Sequence, residues 1–303
     1  MHQKIGLKLF LLFIFAANIG CGKEIKSPSV SKDKEPLSSF SQKLPFDQKW
    51  IGKFRVEDKE SHLLLHGFTE ASSGNPLALL WDTGSDVSFL SGTPDSSVSQ
   101  APQELIWSGN RYPFSVKKGI IPDEMKGIVG LDFFRETCIW WSGEDLYVFH
   151  HSSVFCERPQ AYLSTSLKTL VTKRLGAYAA VTFRFLGKQY EYGLLDTGSS
   201  FCILPKETDE KFEFLRKETV ILAGNRRKEA ELFHTEESLG LATNSGVFQE
   251  YSDIHLLTGI SLENFLLPRE KDRGDVWVVG LSILRKRPLF WDFSRNRIAV
   301  FSP

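Results

Sequence analysis

Residues 62–81, "HLLLHGFTEASSGNPLALLW", hold two apolar stretches separated by the turn-forming run "SSGNP". Short alternating apolar stretches around such a turn predict a β-hairpin. Residues 181–195, "VTFRFLGKQYEYGLL", repeat the arrangement around "LGKQ". Each hairpin delivers the same tetrapeptide, Asp-Thr-Gly-Ser, beginning at Asp82 and at Asp196.

The correspondence continues downstream. "LIWSGNRY" and "VILAGNRR" share an apolar pair and a Gly-Asn-Arg turn, with Gly109 27 residues beyond Asp82 and Gly224 28 beyond Asp196. "GIVGLDFFR" matches "WVVGLSILR", and closing strands "LYVF" and "IAVF" follow. Four landmarks in one order predict a duplicated unit, hence two similar lobes built from short strands. Between the halves, Leu163, Leu167, Leu170, Val171 and Leu175 fall at helical spacing amid frequent Ser and Thr, so this connection reads either as a helix or as an extended strand.

Composition narrows the setting. The 303 residues are 42% hydrophobic, enough to fill real cores, and 37 basic residues balance 37 acidic ones, which gives no field for nucleic acid. Lys4 and Lys8 precede an apolar run from Leu9 to Ala17 and the small residue Gly20, so residues 1–20 read as a signal peptide. "NIGC" resembles a lipobox, making Cys21 the expected lipidation site and membrane anchor; an ordinary signal peptide with an unrelated Cys21 is the alternative. Residues 21–45, rich in Lys, Ser and Pro, read as a tether, followed by an N-terminal lobe at 46–158 and a C-terminal lobe at 159–303. An exported, lipid-anchored monomer is expected. Cys138, Cys156 and Cys202 then allow at most one bridge, and no cysteine pair or His62–His66 spacing predicts a metal site.

If the lobes pack about a pseudo-two-fold axis, Asp82 and Asp196 meet there. Two close carboxylates share one proton, so one can act as base while the other acts as acid. Gly84 and Gly198 would let the backbone turn sharply and bring its N–H groups close to a carboxylate, Thr83 and Thr197 could bond across the axis, and Ser85 and Ser199 could donate to the outer carboxylate oxygens. Those last bonds would hold one Asp ionised in acid.

"LLWDTGS" with "GIVGLDFF", and "GLLDTGS" with "WVVGLSIL", resemble the paired catalytic loops and bracing segments of the pepsin-like and retropepsin-like aspartic peptidases. The resemblance spans about residues 50–303 and implies an all-β, bilobal acid-peptidase fold with few short helices. It further implies a catalytic Asp82–Asp196 pair that activates water, a peptide or protein substrate, and no cofactor or metal. The interval from Asp to bracing Gly is 48 residues in the first half and 84 in the second, so the first lobe is shorter than the family pattern suggests. The flap of this family comes from that interval, which makes "WSGNRYPF" the flap candidate, with Trp107 and Tyr112 as covers; an ordinary hairpin is the other reading. A non-catalytic binding protein of the same fold is the alternative function. Adhesion through Arg273-Gly274-Asp275 is a weaker one, since the triplet reads as a charged turn. No GxSxG, GxxxxGK[ST], HExxH or GxGxxG occurs.

Overall fold

The computed structural model describes residues 15–17, 50–59, 62–92, 102–122, 125–163, 166–204, 212–222, 226–260 and 276–301. Cys21, the 22–45 tether and the Arg273–Asp275 triplet lie outside them.

The first half carries β1 (Phe15–Ala17), β2 (Trp50–Lys59), β3 (His62–Glu70), β4 (Pro76–Trp81), β5 (Phe89–Ser91), β6 (Gln103–Trp107), β7 (Asn110–Lys117), β8 (Gly127–Val129), β9 (Thr137–Trp141) and β10 (Asp145–His150). The link carries β11 (Leu167–Thr169) and β12 (Thr172–Leu175). The second half adds β13 (Tyr178–Phe185), β14 (Lys188–Leu195), β15 (Cys202–Ile203), β16 (Glu213–Leu222), β17 (Arg226–Thr235), β18 (Leu239–Ala242), β19 (Phe248–Tyr251), β20 (Ile254–Thr258), β21 (Trp277–Val279), β22 (Leu289–Asp292) and β23 (Arg297–Phe301). Helix is confined, among the described residues, to single turns at Leu131–Phe134, Val154–Glu157, Pro159–Ala161 and Leu281–Leu284. None of these is long and apolar enough to cross a membrane.

The connection between the halves is extended. Its leucines serve strands instead of a helix face: β11 pairs with β23, β12 pairs with β13, and Leu170 and Leu175 are buried. Frequent Ser and Thr disfavour helix, and two waiting strand edges decide the outcome.

The fold is all-β and bilobal, as expected, and its duplication is visible in the strand pairings. The predicted hairpins are β3–β4 and β13–β14. In the first lobe β8 runs parallel to β4 and antiparallel to β5, and β5 runs parallel to β7. In the second, β21 runs parallel to β14 and antiparallel to β15, and β15 runs parallel to β20. The halves are joined where β22 lies antiparallel to β9, with Phe290 opposite Trp140 and Trp291 opposite Ile139. The 12-stranded sheet of the first lobe therefore takes in β22 and β23 from the end of the chain.

One aromatic cluster fills the first lobe: Phe54 stacks on Trp107 at 4.3 Å, with Phe68, Phe114 and Phe133 around them. A satellite core holds the disulfide Cys138–Cys156 with Phe149, Phe155 and Phe290. Cys202 is left free and buried.

Candidate active site

Each Asp-Thr-Gly-Ser loop begins where a buried strand stops. Trp81 and Leu195, the last residues of β4 and β14, are fully buried, so the loops enter the protein interior. The bracing segments hold both ends of each loop. The Asp82 N–H donates to the Val129 carbonyl (3.1 Å) and the Leu131 N–H donates to that of Ser85 (2.9 Å). The second lobe repeats this, from Asp196 N–H to Val279 (3.2 Å) and from Leu281 N–H to Ser199 (2.8 Å). Gly130 and Gly280 are required by space: a Cβ would lie 2.7 Å from the Val87 carbonyl in one and 2.2 Å from that of Phe201 in the other. The brace glycines thus let the two chain segments touch backbone to backbone.

Thr83 and Thr197 interlock across the axis. The Thr83 N–H donates to Thr197 Oγ1 (3.0 Å), and the Thr197 N–H donates to Thr83 Oγ1 (3.0 Å). Each hydroxyl then donates across the axis, Thr83 to the Leu195 carbonyl (3.0 Å) and Thr197 to that of Trp81 (2.9 Å). Four bonds in a dry setting fix the loops relative to one another. This part of the expectation matches the structure.

Each glycine brings its N–H onto a carboxyl, as expected, but it is also needed for a further reason, and the serines differ from expectation. Neither Gly84 nor Gly198 adopts a left-handed conformation. They are needed because the opposing acid lies against them: a Cβ on Gly84 would sit 2.7 Å from the Asp196 carboxyl, and one on Gly198 2.4 Å from that of Asp82. Ser85 and Ser199 do not donate to the carboxylates. Their hydroxyls donate to the carbonyls of Val87 (2.7 Å) and Phe201 (2.8 Å), closing turns two residues on. A nearby carbonyl within the same turn is a closer acceptor than an acid across the loop.

Asp82 and Asp196 come together, with no exposed surface on either. Each Oδ1 accepts from the glycine N–H two residues ahead at 2.8 Å. Each Oδ2 is buried and receives no N–H or hydroxyl donor; the two carboxyls bond to each other. Burial first, and then the Asp196 charge, push Asp82 well above the usual carboxylate range. Burial pushes Asp196 to about 6, with the bond to Asp82 and the N–H groups of Gly198, Gly84 and Ser199 holding it from rising further. The pair therefore holds a shared proton to higher pH than ordinary aspartates would.

The proposed aromatic covers are elsewhere. Trp107 is 2% exposed and stacked on Phe54 in the first-lobe core, and Ser108 beside it presses on Gly52 of β2. Tyr112 packs on Trp107 and Phe133. The β6–β7 tip thus points back toward β2, away from the end of β4 that bears Asp82. The apolar yield of burying an indole outweighs leaving it over a wet cleft. Two features were not anticipated from the sequence. Ile221 of the second-lobe hairpin β16–β17 packs among Leu80, Phe89, Ile121 and Ile128 of the first lobe. Glu136, His150 and His151 bring ligand-type atoms within 4.8 Å of one another, outside the acid pair.

At the level of sequence, no family model matches the chain, and no curated protein matches it. Among solved structures it is similar to basic 7S globulin from soybean, with a TM-score of 0.50 and 10% identity over 83% of this chain and 96% of that one. At that identity the likeness shows the bilobal, pepsin-like fold and nothing finer. It corrects the identification of the chain as a pepsin-like or retropepsin-like aspartic peptidase: the similar structure is a globulin, and no family model answers to the sequence. The physical reason is in the loops. The threonine lock and the glycines are demanded by the packing of the two lobes, so the motif reports the fold before it reports an activity.

Proposed function

We propose that the chain binds an extended polypeptide between its lobes and hydrolyses a peptide bond through the Asp82–Asp196 pair. The observation that carries this reading is the pair itself: two buried carboxyls bonded to each other and sharing one proton, with no N–H or hydroxyl donor on either Oδ2. A buried carboxylate oxygen that receives no donor is costly unless another donor reaches it. A water molecule bridging the two oxygens would meet both needs. Asp196 takes a proton from that water as its oxygen adds to the peptide carbonyl carbon, and Asp82 gives its proton to the carbonyl oxygen. The resulting diol collapses as one hydroxyl returns a proton to Asp82 and the nitrogen takes one from Asp196. The C–N bond breaks, and both acids recover their starting states.

A second reading is a bilobal protein that binds without catalysis. The complete burial of both acids favours it, since substrate must reach them. The discriminating experiment is incubation of the full chain with unfolded polypeptides between pH 5 and 8, with products mapped by mass spectrometry. Hydrolysis predicts new termini with wild type and none with Asp82→Asn or Asp196→Asn, at unchanged circular dichroism. Equal products from all three, or none from any, leave binding as the function. Export and anchoring through Cys21 belong to this reading, and labelled palmitate should enter the wild-type protein but not Cys21→Ala.

A further inference from the structure

We infer that the cover of the acid pair is the second-lobe hairpin β16–β17, and that the outer edge of β16 is a rail that takes an extended, apolar peptide strand. The inference rests on the peptide-binding half of the reading above and is indifferent to hydrolysis.

The hairpin is long, two ten-residue strands paired from Glu213 opposite His234 to Leu222 opposite Arg226, with a register shift between Phe214 and Arg216. Its far end leaves the second lobe. Ile221, one residue before the end of β16, is 5% exposed and lies with Leu80, Phe89, Ile121 and Ile128 of the first lobe. Leu80 stands two residues before Asp82 and is paired with Ile128 of the brace. The hairpin is therefore anchored in an apolar hollow formed by the strands that carry the first acid. The corresponding first-lobe hairpin is unavailable for this task, because its tip is packed onto Gly52 and Phe54.

The two edges of the hairpin differ. The inner strand β17 continues the second-lobe sheet through β20. On its outer side, β16 is paired among the described residues with β1 alone, which lies antiparallel with Phe15 opposite Ile221, Ala16 opposite Val220 and Ala17 opposite Thr219. A segment some 200 residues distant in the chain has added to this edge by main-chain pairing, in the mode by which sheet edges take peptides. The segment is uncharged, extended and built from Phe and Ala, and it is paired at the residues that lie over the hollow. It also falls within the stretch expected to be cut away on export. Its removal leaves the same edge, with the same apolar floor, open to another strand of similar chemistry.

The test uses the full chain and a fluorescein-labelled peptide, Phe-Ile-Phe-Ala-Ala-Asn-Ile, flanked by two lysines at each end. Phe15→Pro with Ala17→Pro prevents β1 from pairing without touching the rail. Anisotropy should then show the probe binding at least tenfold more tightly than to wild type, and adding Ile221→Ala should weaken that binding at least fivefold. Equal affinity in wild type and the double-proline chain, or no effect of Ile221→Ala, would overturn the inference. A companion chain with Ala17→Cys and Thr219→Cys should form a disulfide under mild oxidation and lose the probe. Failure to form that disulfide would also overturn it, since the pairing places these positions opposite each other.

Discussion

At Asp196 the protein holds a charge that its surroundings oppose. The acid is fully buried, and its pKa is raised from 3.8 to about 6. Between those values the native protein keeps a proton that the unfolded chain has released, so stability falls as pH rises through about 6. Asp196→Asn should therefore be more stable than wild type at pH 7.5 by about 2–3 kcal/mol, with the difference vanishing near pH 3.5. Urea unfolding at the two pH values measures it, and a gain equal at both would refute the assignment. The same shift moves the singly protonated pair toward neutral pH, where hydrogen bonds from the Ser85 and Ser199 hydroxyls would have kept it in acid. At the threonines, Thr197→Val would orphan the buried Thr83 N–H and the Trp81 carbonyl together. A loss of about 2–4 kcal/mol is expected on denaturation; a loss below about 0.5 kcal/mol would contradict the lock. The acids, threonines and glycines were legible from the repeated tetrapeptide. The acceptors of Ser85 and Ser199 were not, because a serine's choice between a local carbonyl and a distant acid depends on loop coordinates.

At the scale of elements, apolar alternation located both hairpins that end in the acids, and the Gly-Asn-Arg turn located β6–β7. It could not say which way that hairpin leans. Trp107 was read as a cover, yet the partner that claims it, Phe54, lies more than 50 residues earlier in β2. Trp107→Ala should accordingly cost about 3–5 kcal/mol of stability and leave peptide affinity per folded molecule unchanged. A large loss of affinity at full stability would restore Trp107 to the cleft. The link at 163–175 shows the same limit: helical spacing competed with strand edges on β13 and β23 that no local pattern reveals. Three cysteines beyond Cys21 allowed at most one bridge, and Cys138–Cys156 closes an 18-residue separation beside β9 and β10. Cys138→Ala with Cys156→Ala should lower stability by about 3 kcal/mol; an unchanged denaturation midpoint would remove the bridge from the account.

The whole molecule is a duplication whose two halves meet at the threonine lock, along β9–β22 and where Ile221 packs on the first lobe, among other places. Its bilobal plan was readable because four landmarks recur in one order. Its activity was less readable, since the residues that lock the lobes are those that would serve catalysis, and a globulin shares the plan. The central claim is physical: two buried acids share a single proton near neutral pH. Infrared difference spectroscopy of the carboxyl stretch tests it without any substrate. The account predicts one protonated carboxyl persisting at pH 7 in wild type, absent in Asp82→Asn, and a second titrating near pH 6 that is absent in Asp196→Asn. Loss of every protonated carboxyl signal below pH 5 would show two independent, ordinary aspartates and contradict it.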